Sequence, residues 1–234
     1  MLGSVPVAGV TCDDCSGNVS FVAHFENDLD VTKGDPCGCS DGDTTLELTG
    51  ATFSTDAEHT GDGLYGLYCA NGTDYAKVEN TSRNILTEVS GTIKFWIYIT
   101  TWVSGTKVFF TEYGTSSDYL RLTMAGGSNS DIEFTLRQND TEVPNKDAPT
   151  TELDGDLNTW YYIVVKWRNT GDPNLFIGVY SDEVGTLFNA NSYASNNTDL
   201  AAWGGEPDFI EIGNNSSNAA AFYIDKFYLS KAYE

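Results

Sequence analysis

The sequence predicts an all-β protein built as a two-sheet antiparallel β-sandwich. Three observations carry this expectation. From about residue 19 onward the apolar residues fall into short runs of period two, the spacing that sends every second side chain to one face of a strand. Clusters of Gly, Ser, Thr, Asn and Asp separate those runs and supply turns. No stretch sustains apolar residues at helical spacing between capping signals, so little helix is expected.

In chain order, strands are expected near residues 20–25, 51–54, 64–70, 74–79, 91–99, 106–112, 118–124, 131–138, 159–168, 174–180, 185–188, 208–212 and 221–230. The clearest is Asp131-Ile-Glu-Phe-Thr-Leu-Arg137, where Ile132, Phe134 and Leu136 share one face and Glu133, Thr135 and Arg137 the other. Tyr119-Leu-Arg-Leu-Thr-Met124 repeats that pattern, and the two are expected to pair through the turn at 126–130. Residues 93–99 and 161–167 are apolar or aromatic on both faces, which suits central strands covered on both sides. Trp96, Trp160 and Trp167 within them are expected in the core or between the sheets. So many strands exceed one flat sheet, and two packed sheets follow. The domain reading is an N-terminal arm over 1–19 and one sandwich over 20–234. Residues 139–158 and 189–199 are expected as surface loops.

Composition limits the partners. The chain has 12 basic and 34 acidic residues, a formal net charge of −22. Binding to nucleic acid or an anionic membrane surface relies on Lys and Arg meeting phosphates, so neither partner is expected. No run approaches the length of a membrane span. The opening Met1-Leu-Gly-Ser-Val-Pro-Val-Ala-Gly-Val10 lacks a basic segment and is broken by Pro and Gly, so it does not read as a secretory signal. The expectation is a protein that stays in the producing cell or leaves it at lysis, as a virion component does.

Four of the five cysteines, Cys12, Cys15, Cys37 and Cys39, crowd into the first 40 residues. Their spacing lets paired thiolates converge on one tetrahedral zinc ion. The same four can form two disulfides tying the arm to the segment at 33–40, or remain free thiols. Each reading is a structural one. Cys69, alone inside an apolar run, is expected as a small buried side chain.

Six segments in order resemble the laminin-G-like branch of the concanavalin A-like lectin/glucanase superfamily, over roughly residues 20 to 232. Gly63-Leu-Tyr-Gly-Leu-Tyr-Cys-Ala-Asn-Gly72 with Asp74-Tyr-Ala-Lys-Val78 resembles an early hairpin of that fold. Gly91-Thr-Ile-Lys-Phe-Trp-Ile-Tyr-Ile99 is similar to its central Trp-bearing strand, and Asn158-Thr-Trp-Tyr-Tyr-Ile-Val-Val-Lys-Trp167 to the strand that a Trp opens. Asn174-Leu-Phe-Ile-Gly-Val-Tyr180 is similar to the strand that follows. Phe209-Ile-Glu-Ile-Gly213 and Phe222-Tyr-Ile-Asp-Lys-Phe-Tyr-Leu-Ser230 resemble the closing strands. The resemblance implies a jelly roll but not one job, because this fold hosts both lectins and enzymes.

The resemblance also implies a calcium ion where the N- and C-terminal strands meet. Glu26, Asp28, Asp30 and Asp225 are the oxygen donors it points to. Glu206-Pro-Asp-Phe-Ile-Glu211 resembles the paired-carboxylate signature of laminarinase-like glucanases. Pro207 sits badly in a central strand, and Glu206 and Glu211 would face opposite sides of it, so the chain is expected not to be an enzyme. His24 and His59 are the only histidines, and neither lies in a nucleophile motif. Glycan binding needs aromatic platforms beside polar anchors, which Trp102, Tyr113, Tyr193 and Trp203 are expected to offer on loops.

Two functional readings follow. One is a virion decoration or fibre component, multimeric and displayed on the particle surface, with glycans among its ligands. The other is a secreted carbohydrate-binding lectin or adhesin module.

Overall fold

The computed structural model describes residues 19–23, 47–56, 66–79, 90–101, 107–114, 119–125, 131–138, 141–142, 151–152, 157–170, 173–187, 193–196, 209–213, 221–230 and 232–234. All regular elements among them are strands. In chain order these are β1 (Val19–Ala23), β2 (Glu47–Thr49), β3 (Thr52–Ser54), β4 (Gly66–Cys69), β5 (Tyr75–Glu79), β6 (Ser90–Thr101), β7 (Lys107–Gly114) and β8 (Tyr119–Ala125). They continue as β9 (Asp131–Gln138), β10 (Thr141–Glu142), β11 (Thr151–Glu152), β12 (Trp160–Arg168), β13 (Leu175–Tyr180), β14 (Tyr193–Asn196), β15 (Phe209–Gly213) and β16 (Ala221–Ser230). No helix among the described residues is long and apolar enough to cross a membrane.

The strands form two antiparallel sheets. The first runs β14-β13-β12-β6-β16-β4-β3, with β1 also on β16. The second runs β10-β9-β8-β7-β15-β5-β2, with β11 also on β9. The expected β8–β9 hairpin forms in a continuous register, from Tyr119 opposite Arg137 to Ala125 opposite Asp131.

Period-two alternation places the core between the sheets. Ile93, Phe95, Ile97 and Ile99 of β6 are fully buried, as are Tyr161, Ile163, Val165 and Trp167 of β12. Ile210 and Ile212 of β15, with Leu120 and Leu122 of β8, meet them from the second sheet. Cys69 is a small buried side chain in this cluster, as its apolar surroundings predict.

Four segments differ from the strand list read from sequence. Glu47-Leu-Thr49 and Tyr193-Ala-Ser-Asn196 are strands although they carry little apolar alternation. Both sit at sheet ends, where one neighbour supplies the register. The segment at 139–158 contains the two-residue strands β10 and β11, which follow one another along β9. Among the described residues 185–187 an isolated bridge forms in place of a strand, Tyr180 opposite Leu187, and Val184 stands 91% exposed in the turn before it.

Two local irregularities shape the first sheet. Between Asp225 and Tyr228 the register with β6 slips by one residue, a β-bulge, and Lys226 there has φ 48°. The bulge divides β16, whose 227–230 half takes β1 and whose 222–224 half takes β4. At the crossover from β2 to β3, Gly50 has φ 65° and lies against the carboxylate of Asp74, where any Cβ would collide. Asp74 in turn caps the β4–β5 turn by accepting from the amides of Ala70 and Asn71 at 3.0 and 2.8 Å.

Candidate functional site

The outer face of the first sheet is unusually aromatic. Strand register builds it in rows, because residues directly opposite on neighbouring strands share a face. In the first row Tyr68 of β4 stands opposite Tyr223 of β16, Tyr223 opposite Tyr98 of β6, and Tyr98 opposite Trp160 of β12. Ring centroids lie 4.6 Å apart for Tyr68–Tyr223, 6.1 Å for Tyr223–Tyr98 and 5.3 Å for Tyr98–Trp160. Four rings thus form a continuous strip across four strands.

The next row is Asp225, Trp96, Tyr162 and Tyr180. Trp96 packs 5.1 Å from Tyr162, and its indole N–H donates to Glu183 at 2.8 Å. Lys226 Nζ reaches the same Glu183 oxygen at 3.0 Å. The turn carrying Glu183 is held by Thr186, whose amide donates to Asp182 at 2.9 Å. Tyr180 folds its ring over Gly178, where a methyl group would clash with it.

Farther along, the face becomes cationic. Lys94 stands opposite Tyr228 and Val164, and Lys166 opposite Thr92 and Phe176. The Lys94 ammonium lies 4.9 Å from the Tyr228 ring centre and the Lys166 ammonium 5.5 Å from that of Phe176. Residues 232–234 cross this end. The Glu234 carboxylate accepts from Ser230 Oγ at 2.6 Å, Tyr228 OH at 3.2 Å and Lys94 Nζ at 3.2 Å. Tyr233 covers the Arg168 guanidinium at 4.2 Å.

Burial and charge tune these groups. Burial, then the nearby Glu183 carboxylate, pushes the Tyr162 hydroxyl well above its ordinary range. Burial raises Tyr180 and Tyr223 as well. Lys166 is lowered, first by burial and then by Lys94. Partial burial pushes Glu234 up, but hydrogen bonds from Ser230, Lys94 and Tyr228 outweigh it and leave the carboxyl below its ordinary value. Tyr162, Tyr180 and Tyr223 therefore stay neutral near pH 7 and keep their hydroxyls as donors.

Of the residues expected from sequence to bind glycans, two are among the described residues. Tyr113 and Tyr193 lie in strands rather than loops: Tyr113 in β7 opposite Leu120 and Ile210, Tyr193 in β14 opposite Gly178. The turn residues around them misled, because Gly114 and Asn196 lie inside the strands themselves. Trp102 and Trp203 are outside the described residues. Trp167 is in the core as expected. Trp96 and Trp160 are not between the sheets: they lie on the outer face, since their neighbours Phe95, Ile97 and Tyr161 point inward. The signal that identifies the face was present, namely Trp96, Tyr98, Trp160 and Tyr162 at alternating positions of two central strands.

Of the calcium donors, Asp225 lies in β16, is 4% exposed, and accepts from the Lys226 amide at 2.8 Å. β1 ends at Ala23 opposite Phe227, two residues from Asp225. Glu26, Asp28 and Asp30 lie outside the described residues. So do Cys12, Cys15, Cys37 and Cys39, together with His24, His59 and Glu206. Among the described residues no group of three metal-ligating side chains converges. Glu211 is in β15 opposite Lys77, on the face of the second sheet away from the core, because Ile210 and Ile212 point inward.

Two face-packed antiparallel sheets with strands exchanged between them define a lectin-like jelly-roll sandwich. A laminin-G family model, described as the concanavalin A-like lectin/glucanases superfamily, matches residues 70–232. The chain belongs to that superfamily. No curated protein sequence matches it.

Among solved structures, the chain is similar to a botulinum neurotoxin type C structure described as depending on two ganglioside molecules to enter cells. There it has 15% identity and a TM-score of 0.63, covering 96% of this chain and 50% of that one. It is also similar to the binding domain of botulinum neurotoxin DC in complex with SialylT, at 14% identity and TM-score 0.63, covering 94% and 49%. A serotype D ligand-binding domain in complex with N-acetylneuraminic acid gives 16% identity and TM-score 0.54, covering 82% and 44%. The chain thus spans about half the length of the solved chains it matches, and the likeness is one of fold.

Proposed function

We propose that this chain is a non-catalytic, lectin-like display module that holds saccharides on the outer face of its first sheet. The strip Tyr68–Tyr223–Tyr98–Trp160 is the observation that carries this reading. Sugar rings pack their apolar C–H faces on aromatic rings, and neighbouring hydroxyls and carboxylates take the sugar's polar groups. Tyr223 is buried and knits the row together, while Tyr68, Tyr98 and Trp160 are each partly exposed, so ring surface offered on three strands suits an extended oligosaccharide better than a single sugar. The lectins of the superfamily, the ganglioside-dependent cell entry described for the similar type C neurotoxin, and the SialylT and N-acetylneuraminic acid complexes of similar binding domains support binding as the role.

The test is a glycan array followed by calorimetry on the best ligand. Tyr98→Ala and Trp160→Ala should each weaken binding by about tenfold while the β-sheet circular dichroism persists. Binding unchanged by both substitutions would remove this face from the function. Release of reducing sugar from laminarin would contradict the non-catalytic part. Glu211 opposite Lys77 speaks against that chemistry.

The setting proposed for the module is the surface of a virion, as a multimeric decoration or fibre component. The acidity of the chain, which favours solubility in a crowded shell, supports this. A secreted adhesin is the alternative. Mass spectrometry of purified particles separates the two, since a free adhesin would be absent from them. Calcium at the β1–β16 seam belongs to the same proposal: Asp225 would supply one ligand and Glu26, Asp28 and Asp30 the remainder. Added calcium should then raise the melting temperature of chelator-treated protein, and Asp225→Asn should abolish the rise.

A further inference from the structure

Lys94, Lys166, Arg168 and Lys226 place four of the chain's 12 basic residues on one face of a protein whose net charge is −22. Lys226 is matched by Glu183. Lys166 forms no ion pair among the described residues, and Arg168 spends its Nε on the Pro173 carbonyl at 3.0 Å. The carboxylate that meets this group is Glu234, and it is seated as a bound ligand would be. Its two oxygens receive an ammonium, a phenol and a serine hydroxyl contributed by β6 and β16. Thr92 Oγ1 anchors the same segment on both sides, donating to the Ala232 carbonyl at 2.7 Å and accepting from the Glu234 amide at 3.0 Å.

We propose that this cradle of Lys94, Tyr228 and Ser230, flanked by Lys166 and Arg168, is a subsite for the carboxylate of an acidic saccharide, and that Glu234 occupies it in cis. The inference rests on the saccharide-binding reading above, and it names the ligand class. With residues 232–234 displaced, Lys94 remains beside the Tyr228 ring and Lys166 beside that of Phe176, with Arg168 on the same face. A sugar carboxylate would replace Glu234 on the same three donors, while its ring would lie on the aromatic surface that continues toward Tyr98. Charge-assisted hydrogen bonds of this kind are the stronger class, so exchanging one carboxylate for another leaves the donors satisfied. The segment at 232–234 thereby sets a threshold, since neutral sugars gain nothing by displacing it.

The experiment is calorimetry with three probes: oligogalacturonate, its methyl ester, and sialyllactose. Uronic and sialic acids carry the same carboxylate chemistry, and the first and third probes distinguish them. Glu234→Gln should tighten binding of at least one acidic probe by about fivefold and leave the methyl ester unchanged. Adding Lys94→Gln to that variant should remove the gain. The proposal is overturned if Glu234→Gln leaves both acidic probes unaffected, if the methyl ester gains equally, or if a peptide ending in Tyr-Glu binds the variant where the acidic sugars do not. If neutral oligosaccharides bind and respond to Tyr98→Ala while these gains are absent, this inference fails alone. Failure of every saccharide to bind defeats both readings together.

Discussion

Trp96 and Glu183 meet on the outer face of the first sheet, the indole N–H donating to the carboxylate at 2.8 Å although the residues are 87 apart in sequence. The contact fixes the turn after β13 to the middle of β6. It also explains how a tryptophan on the outer side of a sheet is only 5% exposed.

Glu183→Ala should therefore destabilise the fold by about 1–2 kcal/mol, the scale for depriving a buried donor of its acceptor. Glu183→Gln should cost less, because an amide oxygen still accepts from Trp96 and only the half-exposed ion pair to Lys226 is lost. Urea denaturation of the two variants at low and high salt checks this, with salt affecting the wild type and not Glu183→Gln at this pair.

Glu234 links stability to acid. Its carboxyl is held below the ordinary value of 4.5 in the folded protein, so it contributes stability above about pH 4.5 that disappears as pH falls through the lowered value. The difference in unfolding free energy between wild type and Glu234→Gln should be largest near neutrality and vanish in acid. A constant difference across pH 3 to 7 would mean that the ionised carboxylate is not what the cradle holds.

Tyr162 acts at the other extreme. Burial first, then Glu183, raises its pKa above the ordinary 10, so the folded state keeps a proton that the unfolded chain releases. Its contribution is present below about pH 10 and is lost as pH rises beyond it. Tyr162→Phe should flatten the alkaline fall in stability, and absorbance titration should show fewer tyrosines ionising before unfolding than the sequence contains.

Two backbone-limited positions give sharp controls. A methyl group on Gly91 would overlap the Trp167 indole, so Gly91→Ala should cost about 1–3 kcal/mol. Lys226 has φ 48° in the β16 bulge, where a β-branched residue is strained; Lys226→Val should cost about 1–2 kcal/mol and Lys226→Gly less. Thermal melts of the three variants rank them directly.

Strands with strong alternation, such as 131–138 and 159–168, were legible because apolar periodicity records which face meets the core. β2 and β14 were not, since short strands at sheet ends take their register from a neighbour rather than from their own side chains. The aromatic face was only partly legible for a related reason. Sequence patterns reveal that β6 and β12 are apolar on both faces, but not which outward rings stay open: Trp96 and Tyr223 are only 5% and 6% exposed, whereas Tyr98 and Trp160 are partly exposed. Glu183, Glu234 and the 232–234 segment carry no motif at all. They matter only because folding brings them from distant positions onto that strip.

β16 lies between β6 and β4 while also carrying β1, and it follows the other described strands along the chain. A nascent polypeptide on the ribosome that has not yet released residues 221–230 holds the first sheet as two unjoined pieces, β14-β13-β12-β6 and β4-β3, with β1 lacking its partner strand. Their facing edges expose unpaired amides and carbonyls, which invite association between neighbouring chains. Synthesis of this protein should therefore depend on how quickly residues 221–230 clear the exit tunnel, and slowing translation before they emerge should reduce soluble yield.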